Sequence, residues 1–176
     1  MTAPVIDGIR LPIDWTRLGL APAWDGGGVV LHTGRRAWCW QPQAPLIEVR
    51  AAVPTTGPRM EGWGIDHVVL LVPKLDAAVS ALAAIGVDVR RRDEIRGRQT
   101  AFFLVGTLLE VIESHSLDRP LLYGVALEVD DLDVTGARLR TRGLEVTDPR
   151  PAVQEGRRIS TIQGLPAGVV LMSRRT

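Results

Sequence analysis

The sequence predicts an α+β fold: two tandem βαβββ units sharing a mixed β-sheet with helices on the outside, preceded by a β-rich N-terminal extension. Three observations predict it. The apolar, β-branched stretch Gly64–Leu75 (GIDHVVLLVPKL) returns 57 residues later as Leu122–Leu132 (LYGVALEVDDL). Each copy leads into a helix-compatible segment that a glycine closes, Gly86 or Gly143. Residues 1–63 have no helical period, hold all five tryptophans and are rich in Pro and Gly.

The repeat aligns without a gap over the first strand and helix. Val68/Val125, Leu70/Leu127, Val72/Val129, Asp76/Asp133, Leu82/Leu139 and Gly86/Gly143 are identical at that spacing. The last strands align at a spacing of 62, with Leu109 opposite Leu171, so the second unit carries five more loop residues. An internal repeat marks a supersecondary unit that buries its apolar face against its copy. Unit one is set at 64–114 and unit two at 120–174, within a domain spanning 64–176.

In the extension, Val29–His32 and Ala37–Trp40 read as strands joined by a Thr33–Arg36 hairpin turn, with Leu46–Val53 as a third strand. Pro54–Pro58 (PTTGP) reads as a linker. A lone hairpin is marginal in water, so the extension must pack on the main domain. In unit one, strand Ile65–Val72 stops at Pro73, and a helix runs from about Leu75 to Ile85. Asp76 in its first turn suits the helix dipole. Extended segments follow at Val87–Arg92, Gln99–Val105 and Thr107–Glu113. Unit two repeats the order, with strand Leu122–Val129, helix Leu132–Arg142 and segments at Leu144–Thr147, Arg157–Ile162 and Gly168–Arg174.

Composition narrows the function. A net charge of +1 gives no electrostatic case for nucleic acid or a membrane surface. The single cysteine, Cys39, excludes an internal disulfide and a Cys-rich zinc site. The N-terminus has no basic, then apolar, leader pattern. No apolar run nears the roughly 20 residues that span a bilayer. A cytoplasmic protein is expected.

Strand alternation then sorts the faces. Val68, Leu70 and Val72 share a face with the helix, as do Val125, Leu127 and Val129. The other face carries His67, Val69 and Leu71, then Gly124, Ala126 and Glu128, then Leu108, Glu110 and Ile112. His67 and Glu110 thus share one mostly apolar surface, where an unpaired charge is costly.

The βαβββ repeat, with DHV on the first strand and LLEVIE on the last, resembles the vicinal-oxygen-chelate superfamily of glyoxalases, extradiol dioxygenases and bleomycin-binding proteins. The resemblance covers about residues 64–174 and implies a cup-shaped sheet. It also implies a divalent metal (Fe, Mn, Ni or Zn) held by His67 and Glu110. The second ligand pair is missing, because Gly124 and Met172 stand at the matching positions. Neither serves a hard cation. Two chains paired first unit to first unit would restore a four-ligand set, so a homodimer is a partner reading. Expected functions are a small-metabolite binder, a metal-dependent lyase, isomerase or dioxygenase, or a metal-free sequestration protein. His67, Val69, Glu110, Ala126, Glu128 and Met172 are the expected ligand-binding residues. Glu110 and Glu128 are the candidate catalytic carboxylates. Arg90–Arg92, Arg96 and Arg98 read as a solvated hairpin edge. Gly26–Gly28 lacks the strand–loop–helix setting of a phosphate loop.

Overall fold

A computed structural model describes residues 4–41 and 54–174. Two sheets carry the chain. The first has four strands, β1 (Val5–Leu11), β2 (Ala23–Asp25), β3 (Val30–Thr33) and β4 (Ala37–Gln41), in the order β2-β3-β1-β4. The second has eight: β5 (Trp63–Val72), β6 (Arg91–Ile95), β7 (Arg98–Val105), β8 (Thr107–Glu113), β9 (Leu121–Val129), β10 (Arg150–Pro151), β11 (Arg158–Ile162) and β12 (Gly168–Ser173). Their order is β10-β11-β12-β9-β5-β8-β7-β6. The two halves therefore meet where β5 and β9, the repeated stretches, run antiparallel side by side. Helices α1 (Leu75–Ala83) and α2 (Leu132–Thr141) follow them, so the fold is α+β.

The local chemistry accounts for these elements. In α1 the backbone N–H of Leu75 is met by the Glu113 carboxylate at 2.7 Å, which supplies the cap that Lys74 lacks. Asp131 caps α2 through the Val134 N–H at 2.9 Å. Gly86 and Gly143 adopt φ of +82° and +81° just past the helix ends, a region that favours glycine. Val68, Leu70, Val72, Leu109, Val111, Leu127 and Leu171 are buried in one apolar cluster with Leu75, Ala78, Leu82, Leu132 and Leu139 of the helices. Among the described residues, no helix is long and apolar enough to cross a membrane.

The structure corrects four expectations. The Val29–His32 and Ala37–Trp40 strands exist, but they do not form a hairpin. β1 lies between them, parallel to β3 and antiparallel to β4. Its Ile6, Ile9 and Leu11 fill the centre of the sheet and are almost fully buried. Val87–Arg90 is extended but outside any strand, because ladder pairing with β7 starts only at Arg91. Leu144–Thr147 makes only an isolated bridge, Val146 to Ile162. The edge strand of unit two is instead Arg150–Pro151, where proline ends the ladder. Helix α1 stops at Ala83 rather than Ile85. The Leu46–Val53 strand lies outside the described residues.

Trp15 and Trp24 meet edge to face at 6.2 Å between ring centres, and Trp38 and Trp40 at 5.1 Å. All four are buried. They belong to one continuous apolar cluster that also holds the residues between sheet and helices. The Ile65 N–H donates to the Gly26 carbonyl at 2.7 Å. Arg36 donates to the carbonyls of Leu122 at 2.9 Å and Pro166 at 2.6 Å.

Candidate functional site

The site begins with an irregularity in β5. Opposite β9, Ile65 pairs with Leu127 and His67 pairs with Ala126, so Asp66 is an extra residue. This is a β-bulge. It changes which parity faces the core. Before it, Trp63 and Ile65 pack into the apolar cluster; after it, Val68, Leu70 and Val72 do. Asp66 and His67 consequently both present their side chains to the concave face. Simple alternation puts Asp66 on the opposite side, and that is why it is absent from the sequence-derived set.

The two neighbours are joined. His67 Nδ1 lies 2.7 Å from Asp66 Oδ2, and His67 Nε2 lies 3.2 Å from Glu110 Oε2. Their side chains are 14% (His67), 6% (Asp66) and 15% (Glu110) exposed, so bulk water screens these contacts little. Burial alone would lower the imidazole pKa. The hydrogen bonds and charges of Asp66 and Glu110 overcome it and raise the value from 6.5 to about 9. Burial likewise raises the Asp66 carboxyl, but hydrogen bonds from His67 and Arg157 hold it below the ordinary range. These shifts favour an imidazolium at His67 paired with an ionised Asp66 carboxyl at neutral pH.

Arg157, also outside the sequence-derived set, extends the chain of charges into unit two. It donates to Asp66 Oδ1, to Gln154 Oε1 at 2.7 Å, to Glu128 Oε2 at 3.0 Å and to the Ser173 carbonyl at 2.8 Å. Glu128 also has Arg174 at 3.7 Å. Glu128 is thus held between two guanidinium groups.

Val69 and Ala126 flank the couple, paired in register with Glu110 and His67 respectively. Met172 is beside Glu128 in register and buried. Gly124 faces the first residue of β12: a Cβ there would meet the Gly168 carbonyl oxygen at 1.9 Å. Close backbone approach, not chance loss, keeps a side chain from this position.

The residues do not fit a divalent metal. His67 and Glu110 supply two donors, and unit two offers only a glycine and a thioether at the matching positions, short of a ligand set for a hard cation. Among the described residues no group of three His, Cys, Asp or Glu side chains is arranged to hold an ion.

Other candidates resolve into structure. The Gly27 and Gly28 N–H groups both donate to Asp25 Oδ1 at 2.8 Å, so the triple glycine wraps a carboxylate of its own chain. Arg91 pairs with Asp93 at 2.5 Å and lies over the Phe102 ring at 5.0 Å; Arg92 pairs with Asp76 at 2.8 Å. A shallow apolar cleft of about 250 Å³ lies apart from the couple, lined by Val72, Pro73, Lys74, Ala77, Ala78 and Pro120.

Comparisons agree on architecture. No family model and no curated protein sequence matches the chain. Among solved structures, methylmalonyl-CoA epimerase from Mycobacterium tuberculosis is similar, with 21% identity, a TM-score of 0.54 and coverage of 64% of this chain and 89% of that one. Streptomyces coelicolor methylmalonyl-CoA epimerase, in complex with 2-nitronate-propionyl-CoA, gives 21%, 0.52, 64% and 97%. A hypothetical protein from Bacillus halodurans C-125 gives 12%, 0.53, 66% and 97%. At these identities the likeness is one of fold.

Proposed function

Starting from a chain that has the glyoxalase-like fold of the vicinal-oxygen-chelate proteins, we propose that it binds a small organic molecule in the cup between its two βαβββ units. One observation carries the reading. The His67–Glu110 couple, with its nearest atoms 3.2 Å apart, sits on a concave face whose other nearby side chains include Val69, Leu108 and Ala126. An apolar surface with a few convergent polar groups is the usual form of a small-molecule site. The ligand body covers Val69 and Leu108 next to the buried Ala126, and its polar group meets the Glu110 carboxylate. Glu128 and Met172 continue the same face, Met172 beside Glu128 in register and Glu128 anchored by Arg157. No step runs through a metal, because the donor set does not fit one.

A fragment screen followed by amide NMR tests this. Bound fragments shift the signals of Val69, Glu110 and Ala126 together. Glu110→Gln weakens them about tenfold, since a hydrogen bond to a charged group is lost. Fragments that move only the residues around Lys74, or none, would sink the reading.

A second reading, acid–base turnover, draws on the same couple and on the epimerases among the fold neighbours. Glu110 would take the proton from a carbon acid, with the His67 imidazolium beside it. Incubation with methylmalonyl-CoA in D₂O reads it directly. Deuterium enters the 2-position with the wild type and not with Glu110→Gln. No incorporation leaves binding alone.

A further inference from the structure

We propose that Arg157 does in this protein what a bound metal ion does elsewhere: it is the buried cation around which the two halves of the cup close. The inference is independent of any ligand. It starts from the carboxylates. Asp66 of unit one and Glu128 of unit two both turn an oxygen to the same guanidinium. The Arg157 side chain is 3% exposed, and the Asp66 side chain 6%.

Four of the five guanidinium N–H donors have acceptors. Nε donates to the Ser173 carbonyl, one terminal nitrogen to Asp66 and Gln154, and the other to Glu128. Such a planar fork holds several oxygens in fixed directions, as an ion does, whereas a lysine offers one point charge. Strand β5 supplies Asp66, β9 supplies Glu128 and β12 supplies Ser173, so the guanidinium ties unit one to two strands of unit two.

The positions where a metal would need its second pair of ligands are closed for separate reasons. Gly124 is pressed against the Gly168 backbone, and Met172 is buried beside Glu128. An ion on His67 and Glu110 that drew in Asp66 and Glu128 to complete its ligand set would strip both from Arg157 and leave that charge buried and unpaired.

Thermal melts of the full chain test the proposal without any ligand. Wild-type protein melts at the same temperature in EDTA and with stoichiometric Mn²⁺, Ni²⁺ or Zn²⁺. Arg157→Ala melts about 10 °C lower, because two buried carboxylates lose their partner. If that variant does not accumulate, Glu128→Gln keeps the shape and removes one charge. It melts about 4 °C lower and speeds hydrogen exchange at the Arg157 Nε–H seen by NMR. A divalent ion that raises the wild-type melting temperature by about 5 °C or more, with the gain lost in Glu110→Gln, would overturn the proposal. So would an Arg157→Ala or Glu128→Gln protein that melts with the wild type.

Discussion

At the scale of single residues, Gly124 and His67 set what the cup can do. A methyl group at Gly124 would meet a backbone oxygen, not a mobile side chain, at 1.9 Å. Strands β9 and β12 would have to part. Gly124→Ala is expected to cost about 3 kcal/mol, at the upper end for overpacking. Urea unfolding measures it, and a variant as stable as wild type would refute the close approach. His67 gives a pH signature. Its folded pKa of about 9 lies above the unfolded value of 6.5. The stabilisation is therefore complete below pH 6.5 and disappears as pH rises through 9, amounting to about 3 kcal/mol. Asp66 acts in the opposite sense. Its folded pKa is depressed, so its share is present above the unfolded value and fades as pH falls through the folded one. Urea midpoints from pH 6 to 10 should slope downward for wild type and flatten for His67→Gln. Parallel profiles would show that the imidazole is not held as a cation.

Elements explain how those residues arrive together. The β5 bulge brings Asp66 to the face of His67, and a capping carboxylate fixes where α1 starts. Glu113 reaches the Leu75 N–H from the end of β8, 38 residues away, and binds helix to sheet. Glu113→Ala should cost about 1 kcal/mol by chemical denaturation. A change below a few tenths would mean that water caps the helix equally well. The same scale shows what was legible beforehand. The 57-residue repeat exposed β5, β9 and both helices, because identical apolar residues recur at positions that face the same core. His67 and Glu110 followed from alternation. Asp66 did not, since Val68–Val72 is apolar on both faces and hides the change of parity at Ile65. Arg157 stands 91 residues from Asp66 in the chain. No local pattern reports such a pairing. β1 carries no strand pattern in the sequence because Asp7, Gly8 and Arg10 interrupt its apolar residues, and its place between β3 and β4 is a matter of packing alone.

For the whole molecule, the decisive feature is that the four-stranded sheet and the eight-stranded sheet share one apolar cluster. Trp15, Trp24 and Trp38 are fully buried, yet a sheet of four short strands has too little interior to shield them unaided. Backbone bonds reinforce the union. Gly26 accepts from Ile65 one residue before the bulge, and Arg36 grips the carbonyls of Leu122 and Pro166. A disturbance of the extension is thereby felt at the strands that carry Asp66 and Gly124. Cooperative unfolding in a single step is the expected consequence. Four of the five tryptophans report on the extension, while far-UV circular dichroism is dominated by the larger sheet, so the two signals sample different parts of the chain. Their thermal transitions should coincide within about 2 °C, and Arg36→Ala should lower both together by about 3 °C, the effect of losing two charge-assisted hydrogen bonds. If fluorescence instead changed first and left the circular dichroism transition in place, the extension would be a separate folding unit, and the shared interior would contribute little to holding the cup.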